Sequence, residues 1–259
     1  MRTFVISEAG SCHDGSILRA CDLIFAAQKA GADACKFQYW SSAERLAERR
    51  NATDYLEVYR KYGFAWPWLN SLKLLCDERG IEFMCTVYLT EDIPVIAPYV
   101  KRFKVASFEA GDHEFIKAHW PYKKPIIVST GMMRGSDTIT VGGCHYLHCV
   151  SAYPTPLDQA NLGVLHDEWD GCGWYEGYSD HTHDVLTGAL AVAAGARILE
   201  VHFRLDDTDP ANPDYATALS PGQLKDYISL VRKAELMMGD GIKRPQPAEE
   251  AMMRYRVKP

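Results

Sequence analysis

At 259 residues, with 47% apolar and 24% charged side chains, the chain has the make-up of an ordinary soluble globular protein, long enough for one α/β barrel or two small domains. A net charge of -6 and the lack of any Lys/Arg run count against nucleic acid as a partner. Eight scattered cysteines without CxxC or zinc-type spacing, no charged-then-apolar leader and no long apolar span point to reduced thiols in a cytoplasmic protein with no membrane contact.

Taken in order, strand and helix patterns alternate. A strand over Thr3–Ser7 ends in Glu8-Ala9-Gly10, and a helix over Ser16–Ala30 follows, closed by Gly31. The next strand, Ala34–Phe37, brings Lys36 and Gln38 to its end. Ser41–Ala65, rich in charge and tyrosine, is a candidate lid. A helix over Trp66–Arg79 leads to Glu82–Val87, and one over Glu91–Tyr99 leads to Arg102–Ser107. A short helix, His113–His119, leads to Pro125–Ser129; then come Cys144–Ser151, Gly173–Ser179 and Arg197–Phe203. The last helix, Ser220–Met238, opens on a Ser-Pro cap pair.

Eight strands alternating with helices predict a single (β/α)8 TIM barrel over 1–240, with a tail over 241–259 that holds a helical turn or two. Thr130–Gly143, with four glycines, is just long enough for a parallel crossover, so the fifth helix is expected to be short or missing.

Polar residues gather where strands end: Glu8, Lys36, Gln38, Thr86, Lys104, Ser107, Glu109, Ser129, Ser151, Tyr153, Ser179, His181, Glu200 and His202. Singly, each has a plain explanation as a snorkelling side chain, a turn former or a cap. A ring of them costs too much desolvation to serve packing alone, and this is the face where barrel active sites form. Two lysines among hydroxyls suit a phosphate or carboxylate. His181 and His202, at the ends of two strands joined by a helix from Asp184 to Ala196, could share a divalent metal such as Mn or Zn, or be two unrelated polar residues. His183 falls outside this pattern, and the other histidines carry no spacing signal.

Seven stretches in order, SEAGSCHDG, AGADACKFQ, KVASFEAGD, KPIIVSTGMM, LHCVSAYPTP, GYSDHT and EVHF, make the chain resemble the sialic acid synthase family from about Phe4 to Tyr255. That family condenses phosphoenolpyruvate with an N-acetylated aldose such as N-acetylmannosamine, giving a nonulosonic acid and phosphate. The resemblance implies phosphoenolpyruvate binding by Lys36, Thr86, Lys104, Ser107, Ser129 and Ser179, and metal binding by His181 and His202. It implies sugar contacts from Gln38, Ser151, Tyr153 and Asp214, and proton transfer by Glu8 and Glu109, not assigned separately. The implied metal is manganese, with Mg, Co or Zn as alternatives, acting as a Lewis acid on the open-chain aldehyde. The enol carbon then attacks, water adds, and phosphate leaves by C–O cleavage.

Departures from the family pattern are Cys12 for Asn, Val87 for Pro, Ser151 for Asn, Val201 for Lys and PANPD before Tyr215 for PGPD. The family's C-terminal antifreeze-like domain, which gives the partner subunit an Arg, is also expected to be absent, leaving a homodimer open. The rival readings are a metal-dependent lyase or aldolase acting on a keto acid or sugar, and a non-catalytic barrel that binds one.

Overall fold

Eight parallel strands close on themselves in chain order in the computed structural model, which describes residues 2–134, 141–166, 168–169 and 173–257. They are β1 (Phe4–Gly10), β2 (Ala34–Tyr39), β3 (Glu82–Val87), β4 (Phe103–Val105), β5 (Ile126–Ser129), β6 (Cys144–Cys149), β7 (Gly177–Asp180) and β8 (Ile198–His202). Strand β8 pairs with β1 and so seals the barrel, with Ile6 opposite Glu200 and Glu8 opposite His202.

The ring around it holds α1 (Ile17–Ala30), α4 (Trp68–Arg79), α5 (Ile93–Ile96), α6 (His113–Lys117), α7 (Thr187–Ala193) and α8 (Pro221–Met238). Local chemistry sets several ends. Ser16 caps α1 by accepting from Arg19 N, and Gly31 stops that helix in the left-handed region. Helix α8 opens on a capping box made by Ser220 and Gln223, with Pro221 in the first turn. Between β2 and α4 the candidate lid folds as α2 (Ala43–Arg49), a 3-10 turn and α3 (Leu56–Lys61).

Strand alternation divides the apolar residues into two cores. Ile6, Ala34, Met84, Ile127, Leu147 and Ile198 point inward and fill the barrel floor. Their neighbours, among them Val5, Cys35, Phe83, Phe103, Val128, Leu199 and Val201, point outward into one continuous layer under the helices.

Three expectations need revision. Helix α5 covers one turn rather than Glu91–Tyr99, because Pro98 has no N–H to donate back along it. The seventh strand begins at Gly177 rather than Gly173; Gly173–Trp174 instead pair antiparallel with Glu168–Trp169 in a small separate ribbon. Gly177 can enter the barrel because it has no side chain, since a Cβ there would lie 1.8 Å from the Ile198 carbonyl oxygen. In the tail, Pro247–Tyr255 forms a nine-residue 3-10 helix, longer than the turn or two expected. The crossover after β6 carries only 3-10 turns, at Leu157–Gln159 and Leu162–His166. Where the fifth helix was in question, residues 130–134 and 141–143 are not helical, and 135–140 lie outside the described residues. Among the described residues no helix is long and apolar enough to cross a membrane, and the seven described cysteines are unpaired.

Candidate active site

Two residues further along five of the six inward strand faces, the apolar floor gives way to polar groups. Ile6 is followed by Glu8, Ala34 by Lys36, Met84 by Thr86, Ile127 by Ser129 and Ile198 by Glu200. The strand period of two therefore delivers one polar layer directly above the packed one. It forms the bottom of a cavity of about 770 Å³ at the C-terminal end of the barrel. Glu8, Lys36, Gln38, Lys104, Ser107, Glu109, Ser129, Tyr153, Ser179, His181, His202 and Asp214 all line it, so most of the sequence-derived site residues converge. Thr86 joins them through Lys36, and Ser151 through Ser107.

Charge is arranged here with care for balance. Lys36 Nζ lies 2.5 Å from Glu8 Oε2, donates to Thr86 Oγ1 at 3.0 Å and stands 3.9 Å from Glu200 Oε2. Lys104 Nζ donates to Ser129 Oγ at 2.7 Å and to the Val105 carbonyl at 3.0 Å, and stands 3.6 Å from the same Glu200 oxygen. Ser179 Oγ donates to the other oxygen of Glu200 at 3.2 Å, and Gln38 Nε2 donates to Glu8 Oε1 at 2.6 Å.

Burial disfavours every charged form in this group, and proximity decides which survive. For Glu200, burial pushes the carboxyl up, but Lys104 and Lys36 outweigh it and hold it well below the usual carboxylate range. Burial likewise works against protonated Lys36, yet Glu200 and Glu8 raise its pKa. For Lys104 burial wins, and its pKa falls below the usual lysine range despite Glu200. Glu200 Oε2, Glu8 Oε2 and His202 Nδ1 are buried without a hydrogen-bond partner; the carboxylate oxygens face ammonium groups but are not aligned for a bond.

The two histidines meet. Their ring centroids are 5.3 Å apart, and Tyr153 packs on both, 4.3 Å from His181 and 5.9 Å from His202. His181 Nδ1 donates to the Val150 carbonyl at 2.7 Å, which leaves Nε2 as the bare nitrogen. Burial lowers the His181 pKa to about 3, so the ring is neutral. Asp214 Oδ1 approaches His202 Nδ1 to 3.6 Å, while its other oxygen accepts from Ser11 N and Ser11 Oγ at 2.8 and 2.7 Å. Gly10, at φ +51, makes room for it, because a Cβ there would lie 2.3 Å from that carboxylate oxygen. Among the described residues, no three His, Cys, Asp or Glu side chains are grouped to hold a metal unaided. Two imidazoles, one with a bare nitrogen and one with an unpartnered one, fit a divalent ion whose other positions are open to oxygen ligands.

At the cavity mouth Glu109 is gripped by Arg50. The guanidinium donates through Nε to Oε1 at 3.0 Å and through Nη2 to Oε1 and Oε2 at 2.8 and 3.0 Å. It lies between the rings of Tyr88 and Phe108, 4.4 and 4.9 Å from their centroids. Ser151 Oγ donates to Ser107 Oγ at 2.8 Å beside Gly131, where a Cβ would lie 2.1 Å from the Ser151 hydroxyl.

Of the departures noted above, Val201 and Val87 face the helix layer, outside the cavity. Cys12 is buried below Asn212. His183 Nδ1 donates to the Thr217 carbonyl at 3.2 Å and lines no part of the site. Two residues acquire a significance that sequence did not assign. Glu200, noted only as a strand-end residue, is the common partner of both lysines. Arg50 carried no signal at all, standing 59 residues from its partner in a segment legible only as charged and tyrosine-rich.

The chain is 31% identical to N,N'-diacetyllegionaminic acid synthase of Legionella pneumophila, with 96% of this chain and 77% of that one covered. It is 32% identical to pseudaminic acid synthase of Campylobacter jejuni, covering 93% and 76%. Its fold superposes on N-acetylneuraminic acid synthetase of Leptospira borgpetersenii, solved with citrate, at a TM-score of 0.89 and 27% identity, over 99% of this chain and 92% of that one. A truncated 3-deoxy-D-arabino-heptulosonate 7-phosphate synthase of Thermotoga maritima shares the fold alone, at a TM-score of 0.68 and 12% identity. The NeuB family model matches residues 23–243, and the chain belongs to the NeuB family.

Proposed function

We propose that the protein is a transferase that forms a carbon–carbon bond between phosphoenolpyruvate and an N-acetylated amino sugar, releasing phosphate and a nonulosonic acid. Family membership and relatives that are themselves legionaminic, pseudaminic and N-acetylneuraminic acid synthases support this reading. The observation that carries it in the chain itself is the pair of buried lysines. Phosphoenolpyruvate presents two anionic groups, and Lys36 and Lys104 stand on either side of Glu200 with Thr86 and Ser129 beside them. Ser107 and Ser179 supply further hydroxyl groups in the same cavity.

In this reading Lys36 and Lys104 orient the anion and lower the cost of burying it. Gln38, Ser151, Tyr153 and Asp214 would contact the sugar. Glu8, bound to Lys36 and Gln38, and Glu109, bound to Arg50, are the two carboxyls placed to exchange protons. His181 and His202 would hold a divalent ion, manganese in our reading, which when bound supplies Lewis-acid polarisation of the sugar carbonyl. A cytosolic location accords with the unpaired, mostly buried thiols. A homodimer belongs to the same proposal, tested by a solution mass of twice 29.1 kDa.

Phosphate release from phosphoenolpyruvate, measured with a panel of N-acetylhexosamines and with Mn, Mg, Co or Zn, tests the proposal. Release should require both a sugar and a divalent ion, and EDTA should abolish it. His181→Ala should remove activity together with most bound metal. If no sugar supports release by folded, metal-loaded protein, the reading fails.

A further inference from the structure

Several lid side chains line the cavity, and one of them, Arg50, is hydrogen-bonded to a carboxylate of the site. Arg50 leaves the end of α2, crosses the cavity mouth and places three hydrogen bonds on Glu109. It is enclosed by Tyr88 from the end of β3 and Phe108 from the loop after β4. Glu109 is 2% exposed and its charge faces Arg50, from a segment outside the barrel wall. By contrast, Glu8 and Glu200 are balanced by lysines on the strands. A fork held between two aromatic faces has little freedom to adapt to a moved partner, so the position of the lid is transmitted to the carboxylate.

We propose that Arg50 is a positioning residue of the reaction: seated by the lid between Tyr88 and Phe108, it fixes Glu109 in the cavity mouth in its charged form, so that lid seating and the readiness of Glu109 to exchange a proton are one event. The activity arm of its test rests on the synthase reading; the geometry does not.

Other groups around Glu109 do not replace Arg50. Arg49 is engaged 2.7 Å from Asp112, on the loop that carries Glu109. Lys104 points into the barrel and is committed to Ser129 and Val105. Tyr88 offers its ring face, and its phenol is held neutral by burial. Burial already raises the Glu109 pKa above the usual carboxylate range, against the pull of Arg50 first, then Arg49 and Lys104. Without Arg50 the remaining balance shifts further toward the protonated acid.

Two readouts test this in the full chain. Carboxyl-labelled glutamate, with the Glu109 signal identified by its loss in Glu109→Gln, gives the titration midpoint by NMR without any substrate. In Arg50→Met the midpoint should rise by at least about one pH unit, a tenfold change in proton affinity. Arg50→Lys, which keeps the charge but loses the fork, should recover more than half of the shift. In parallel, whichever limb of the kcat/KM profile disappears in Glu109→Gln should move to higher pH in Arg50→Met. An unmoved midpoint, or activity lost equally at every pH with both limbs in place, overturns the proposal. If Arg50→Met does not fold, Arg50→Lys decides alone: a smaller upward shift supports the proposal and none refutes it. Wild-type protein that releases no phosphate with any sugar would refute the synthase reading and leave the NMR arm standing.

Discussion

The two ends of the barrel carry the same kinds of charged residue finished in opposite ways. At the N-terminal end, Arg232 donates to Asp33, Glu235 and the Thr3 carbonyl, at 2.8, 2.7 and 2.8 Å. Asp33 also accepts from Val5 N at 2.9 Å and pairs with Arg2 at 2.7 Å, and Glu235 accepts from Thr3 N at 2.5 Å. No atom of Asp33, Arg232 or Glu235 is among the buried groups without a partner. At the C-terminal end, Lys36, Lys104, Glu8 and Glu200 are more deeply buried, yet Glu8, Glu200 and His202 each keep an unpartnered atom. A completed network holds elements together, here α8 to β1. An incomplete one, costly to maintain, is a place where something else binds.

The strongest way to break the comparison is to remove one cation from each end. Lys104→Met leaves Glu200 buried with half its compensation, which should cost about 3–5 kcal/mol in stability. It should also lower kcat/KM for phosphoenolpyruvate by ~10³. Arg232→Met should cost about 1–2 kcal/mol and leave kcat/KM unchanged, because water can reach the carboxylates it abandons. Urea melts and phosphate release on both variants give the answer. Equal losses of activity would mean that the incompleteness of the upper cluster has no functional weight.

A subtler change sharpens the contrast without touching a charge. Gly131→Ala would drive a methyl into the Ser151 hydroxyl, 2.1 Å away, and toward Cys149 Sγ at 2.9 Å. The Ser107–Ser151 pair must then separate, at a cost of about 1–3 kcal/mol from overpacking. We expect KM for phosphoenolpyruvate to rise roughly tenfold, the equivalent of about 1.4 kcal/mol, with kcat less affected. A KM within twofold of wild type would place that hydroxyl pair outside the anion site.

How much of this could be read beforehand follows from what pattern encodes. The polar layer was legible because strand period is local: Lys36, Thr86, Ser129 and Glu200 each stand two residues beyond an apolar floor residue. The meeting of His181 and His202 followed once their strands were neighbours. The central place of Glu200 was not legible, since it depends on how eight strand ends converge rather than on any one of them. Nor was Arg50, because a contact between a lid helix and a loop 59 residues away leaves no periodic trace. The seventh strand began late for a different reason. Gly173-Trp174 has strand-forming character, and only the pairing of Gly177 with Leu147 shows which residues enter the barrel.

The smallest expected effect lies at the finished end and has a definite pH signature. The Glu235 carboxyl is held below the usual carboxylate range: burial opposes this, but the Thr3 N–H and Arg232 outweigh it. A group whose folded pKa is depressed stabilises the fold above its unfolded value, near 4.3 for glutamate, and loses that contribution as pH falls through the folded value. Glu235→Gln should therefore be less stable than wild type by about 1 kcal/mol at neutral pH, or about 2–4 °C in Tm. Below the folded pKa of Glu235 the two proteins should melt together, because the wild-type carboxyl is then neutral as well. Activity at neutral pH should be identical. A constant Tm difference across the acid range would assign the loss to packing of the side chain rather than to its charge. It would also remove the lower cluster as the electrostatic counterpart of the upper one.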